Sequence, residues 1–268
     1  ITLDQGASTF GTLALTGVNV AVTDAGATDL GASTVSGTLG ITSGGAVTDS
    51  GTLAITGATT ISASGQDITL DQAASTFGTL ALTGANVAVT ENAATDLGAS
   101  TVSGTFAITS GGAITDSGTQ AITGDATFTN TAGTDDAITL DDASNAFGGT
   151  VTFATDSGSA VTIVDTTALD LKALTAASLS ATSGGAVTDS GTLAIAGATT
   201  ISASGQDITL DQGASTFGTL SLTGVNVAVT DAGATDLGAS TVSGTLGITS
   251  AGAVTDSGTL AVTGATTI

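Results

Sequence analysis

The sequence predicts an all-β chain, a right-handed parallel β-helix (β-solenoid) of about 11–12 coils of roughly 23 residues each. Three observations carry this: a long internal repeat, short runs of alternating apolar residues, and turn chemistry at a shorter, regular interval. The string ITLD recurs at Ile1–Asp4, Ile68–Asp71, Ile138–Asp141 and Ile208–Asp211. One continuous solenoid segment is expected over 1–268, built of long repeats 1–67, 68–137, 138–207 and 208–268, the last incomplete. Segment 208–268 departs from 1–61 only where Ser221, Ala251 and Val262 replace Ala14, Gly44 and Ile55.

Within each repeat the apolar residues alternate. Val18, Val20 and Val22 interleave with Asn19, Ala21 and Thr23; Leu13 and Leu15 flank Ala14; Leu39 and Ile41 flank Gly40. Period-two alternation of β-branched and aliphatic residues reads as short strands with one buried face. No helical stripe is present, and 39 glycines would weaken one. Acids follow these runs at Asp4, Asp24, Asp49, Asp71, Glu91, Asp116, Asp141, Asp165, Asp189, Asp211, Asp231 and Asp256. Their mean spacing of about 23 residues is taken as the coil length. Asp24-Ala25-Gly26 and Asp49-Ser50-Gly51 read as turns, with Asp closing a side-chain turn and Gly accepting positive φ. Strand parity slips by one between AVTD and ITLD. Coils stacked at ~4.8 Å give a rod on the order of 55 Å, wound right-handed by the crossover rule. Phe10, Phe77, Phe147 and Phe217 occupy equivalent places and read as core fillers.

Composition excludes many functions. The chain holds no Cys, Met, Trp, Tyr, His or Pro, and one basic residue, Lys172, against 23 acids. Acid–base, nucleophilic and redox catalysis lack their usual His, Cys and Tyr, so no enzyme is expected. Transition-metal sites lack imidazole and thiolate, which leaves oxygen-loving cations such as calcium. The net charge of −22 opposes nucleic acid, whose phosphates are bound by Lys and Arg. No apolar run approaches the roughly 20 residues that span a bilayer. Mean hydropathy of +0.48 and 41% hydrophobic residues oppose disorder.

Candidate sites are few. If the acids stacked one coil apart, neighbours ~4.8 Å from each other would repel by about 0.9 kcal/mol in water. Structural calcium bridging Asp24, Asp49, Asp71, Asp116, Asp189 and Asp256 would relieve that repulsion. The plainer reading is that each acid caps a turn and points into solvent. Lys172, near Asp165 and Asp170 in the most divergent repeat, is expected in a solvated salt bridge. Ice recognition by threonine arrays is disfavoured because Thr-x-Thr does not recur once per coil.

The stretches NAFGGTVTF (145–153), ALDLKALTAASLSATSGGAVT (168–188) and TDLGASTVSGTLGITSGGAVT (28–48) resemble repeats of very large bacterial surface proteins. These are the filamentous-haemagglutinin-like, β-strand-repeat and autotransporter-type adhesins. The resemblance spans essentially the whole chain and implies a secreted, cell-surface or matrix filament, or the shaft of an adhesin. It carries over no catalytic or binding residue. The expected partner is the protein itself, by end-to-end continuation or lateral bundling, since the pattern starts and stops without a polar cap.

Overall fold

The computed structural model describes residues 1–131, 133 and 135–268. Among them there is no helix; short strands alternate with turns, and the strand pairings are parallel. The chain is a β-solenoid of about 14 turns. It divides into two compact units, residues 1–132 and 133–268.

In the first unit, strand Val20–Asp24 stacks on Leu39–Ser43, which stacks on Thr59–Ser62 and then on Thr79–Gly84. Val20 faces Leu39, Leu39 faces Thr59 and Thr59 faces Leu80, steps of 19, 20 and 21 residues. The coil is thus shorter than the expected 23 residues and the coils are more numerous. The acids misled the count because they occupy different angular positions: Asp24 lies opposite Ser43, whereas Asp49 lies opposite Leu30.

The parity slip is real. Val20, Val22 and Asp24 turn inward while Ala21 and Thr23 turn outward. In the ITLD segment Ile68 and Leu70 are inward and Asp71 is exposed. After it, the long strand Thr79–Gly84 bends round a corner. Its start pairs with Thr95–Leu97 and its end with Ser100–Val102. Thr216–Gly224 repeats this in the second unit.

Side chains stack on counterparts, so core volume is balanced vertically. Val87 lies above Phe106 and Phe106 above Ala126, while Ile108 lies above Phe128. A large ring is offset against a small residue, and Phe106 meets Phe128 edge to face at 5.9 Å and 77°. Phe77, Phe147 and Phe217 are buried as expected, whereas Phe10 is only half-buried. Val18 corrects the strand reading. It is 66% exposed, because the strand begins at Val20 and Val18 belongs to the preceding turn.

In the second unit Ala160–Asp165 stacks on Ser178–Ser183, then Leu193–Ser202, then Thr216–Gly224. A β-bulge interrupts the neighbouring ladder. Val151 faces Leu171 and Thr152 faces Ala173, which leaves Lys172 unopposed. Such an extra residue bends a strand and re-aims its side chain.

The turn glycines do not act as expected. Positive φ occurs at Gly65, Gly133 and Gly205, not at Gly26 or Gly51. Gly57 is required for close approach instead. A Cβ there would lie 2.6 Å from the carbonyl oxygen of Gly37, in the preceding coil. That backbone belongs to the ladder and cannot move aside cheaply. Gly57→Ala should therefore cost about 1–3 kcal/mol by overpacking, read as a lowered thermal midpoint. Gly213→Ala, whose Cβ meets nothing within 4 Å, should stay within about 0.5 kcal/mol of wild type.

Candidate functional site

The chemistry of this chain lies in its carboxylates, and the strands sort them into three settings. The first comprises Asp24, Glu91, Asp165 and Asp231, each the last residue of an alternating strand and each buried. Their neighbours in the next coil are Ser43, Ser110, Ser183 and Ser250. Asp24 Oδ1 accepts the Gly26 N–H at 2.9 Å, and Asp231 Oδ1 accepts that of Gly233 at 2.8 Å. Each acid thereby closes its own turn, as the Asp-x-Gly spacing predicts. The carboxylates do not point into solvent, because strand parity carries them inward.

Glu91 shows the same position rebuilt. Ala93 replaces the glycine found at Gly26 and Gly233, and the longer side chain reaches back instead of forward. Glu91 Oε1 accepts the Phe77 N–H at 2.7 Å, and Thr95 Oγ1 donates to Oε2 at 2.9 Å. Burial pushes the Glu91 carboxyl up to about 7. Asp165 gathers three donors on one oxygen: the Thr167 N–H at 2.9 Å, the Thr167 hydroxyl at 2.8 Å and the Phe147 N–H at 3.2 Å. Its Oδ2 is buried without a hydrogen-bond partner, and burial raises its pKa.

The second setting is Asp49 and Asp189, both buried and opposite Leu30 and Leu171. Each caps the following coil. Asp49 Oδ1 accepts the Asp71 N–H and Asp189 Oδ1 that of Asp211, both at 2.8 Å. Burial raises both, with a smaller contribution from the neighbouring Asp71 or Asp211 charge, and Asp189 reaches about 6. The third setting is on the outside. Asp29 is held below the usual carboxylate range by the Thr12 hydroxyl at 2.7 Å and the Ser50 hydroxyl at 2.8 Å, from the coils on either side. Ser257 and Thr219 do the same for Asp236. Composition concealed this ladder, although the recurrent TDL at 28–30, 95–97 and 235–237 marks it.

These registers overturn the stacked acidic column. Asp24 meets serine; Asp49, Asp116, Asp189 and Asp256 meet leucine (Leu30, Leu97, Leu171 and Leu237); Asp71 is exposed on the outer side of its coil. Among the described residues no three acids gather as a cation cage. Among the described residues Lys172 also lacks the expected salt bridge. Lys172 is exposed on its bulge, Asp165 is occupied by Thr167 and Phe147, and Asp170 accepts the Ser190 N–H at 2.9 Å.

Fold and site together define a repeat solenoid whose acids serve its own turns. The chain belongs to the family described as repeats of unknown function (DUF5649), which matches residues 17–83, 84–154, 158–223 and 224–268. No curated protein and no solved structure matches it.

A carboxyl whose pKa is raised on folding holds its proton more tightly in the folded state than in the unfolded one. Its contribution to stability is complete below the unfolded value and lost as pH rises through the folded value. Between pH 4.5 and about 7 for Glu91, and 3.8 and about 6 for Asp189, stability should therefore fall as pH rises. Glu91→Gln should raise stability at pH 8 by on the order of 1–2 kcal/mol, read as a higher thermal midpoint, and change little at pH 4. Calcium should leave the wild-type midpoint unmoved at millimolar levels in differential scanning calorimetry, and a chelator should do likewise.

Proposed function

We propose that this chain is a structural element: a stiff segment of a secreted, cell-surface or matrix filament, extended end to end by continuation of the solenoid. One observation carries the reading. The buried carboxylates, the groups from which a site would be made, are bound to the backbone of the solenoid itself. A parallel ladder that returns to the same register every 19 to 21 residues can be lengthened by repetition with no new interaction. The resemblance of 145–153 and 168–188 to large bacterial surface proteins supports placement outside the cell. Scarcity of Lys and Arg, which denies trypsin-like proteases their cleavage sites, suits exposure there.

An adhesin shaft is the second reading, and the bulge at Lys172 favours it. A contact site on a repeat scaffold has to break the repeat, and the ladder breaks at Lys172, as it does again between Ile195 and Ala198. The filament reading expects electron micrographs of native material to show periodic stiff rods, with the purified chain binding neither cells nor glycans. Specific, saturable binding of the monomer to either would replace it with the adhesin reading.

A further inference from the structure

We infer that the outward face of four stacked strands in the second unit is a lateral pairing surface for a second copy of this chain. The inference deepens the filament reading and rests on it. The strands are Ala160–Asp165, Ser178–Ser183, Leu193–Ser202 and Thr216–Gly224. They contain one charged residue, Asp165, and it is buried. In a chain of net charge −22, this leaves a neutral sheet face four coils deep.

Its outward side chains are ordered in columns. Thr162 faces Ser180, Ser180 faces Thr200 and Thr200 faces Ser221. Two residues along, Val164 faces Thr182, Thr182 faces Ser202 and Ser202 faces Thr223. None of these hydroxyls is buried, and none makes a side-chain hydrogen bond within the chain among the described residues. By contrast, the Thr12 and Ser50 hydroxyls are engaged by Asp29. The result is a lattice of free hydroxyls about 4.8 Å apart between coils and about 6.6 Å apart along a strand. The first unit carries a related column, Thr23, Thr42, Ser62 and Thr83, with Ala21, Gly40, Thr60 and Ala81 beside it.

Two properties select a second copy as the occupant. A hydroxyl both donates and accepts, so the lattice complements itself, and a copy of the chain carries the same coil spacing. Two chains of charge −22 repel across acidic surfaces, so a face without carboxylates is where they can approach. Its small side chains allow close contact between flat sheets, and a two-fold axis makes the contact isologous.

The chain has no cysteine, so a single introduced one reports the contact without background. Thr200→Cys, central to the face, should form a disulfide-linked dimer under mild oxidation. Thr188→Cys, on an outward position of another ladder, should not. Sedimentation equilibrium of wild type should show weak self-association that strengthens with salt as repulsion is screened. Ser180→Asp with Thr200→Asp should weaken it ~100-fold, while Thr188→Asp leaves it unchanged. Small-angle scattering separates this pairing from end-to-end growth, because pairing enlarges the cross-section and end-to-end growth enlarges only the length. Elongation without thickening would overturn lateral pairing and leave the filament reading intact. A strictly monomeric wild type, equal trapping of both cysteines, or blocking of the face by ice or a crystalline polysaccharide would overturn it as well.

Discussion

Backbone pairing between coils fixes the separation of stacked residues at about 4.8 Å, and each residue must therefore tolerate its counterpart one coil above and below. A globular core distributes mismatches in three dimensions; here they are confined to columns. That is why Ala126 lies under Phe106 and Phe128 under Ile108. It is also why Gly57 sits where the backbone of Gly37 in the preceding coil leaves no room for a methyl group.

The same spacing explains how so acidic a chain folds. Turns between strands leave N–H groups facing the interior, and a buried donor without a partner is costly. A carboxylate at the strand end answers that need at Gly26, Phe77, Asp71 and Asp211. The desolvation of the anion is the opposing cost, and it appears as the raised pKa values of Glu91 and Asp189. The acids thus favour the turns and oppose the charge they bring, with the balance set by pH.

The alternation at Val20 and Val22 and at Leu39 and Ile41 was legible in the sequence, because inward positions follow directly from period two. Coil length was not. The acids recur regularly but sit at different angles, and only register separates Asp24, beside Ser43, from Asp49, beside Leu30. The inward turn of Asp24 could be read from parity alone, since it lies two residues after Val22. The habit of placing acids in solvent hid it. The exchange of Gly26 for Ala93 alongside Asp24 for Glu91 is visible in the repeats, but its meaning needs the Phe77 N–H, 14 residues away in sequence. The bulge at Lys172 has no local signal, because a bulge is a property of two strands.

Neutral strand faces follow from the same constraint. A carboxylate on such a face would meet any like residue one coil away at about 4.8 Å, at a cost near 0.9 kcal/mol in water for each contact. Repetition would multiply that cost along the column. The acids are accordingly drawn to turns and strand ends. On strands, Asp29 and Asp236 are interleaved with hydroxyls from adjacent coils, Thr12 and Ser50 for one, Thr219 and Ser257 for the other. What remains for the flat faces is mainly Ser, Thr, Ala and Gly, with Val164 facing Thr182, residues that neither repel their counterparts nor crowd them. A surface that tolerates its own repeat at every coil is, by the same property, one that tolerates a second copy laid against it.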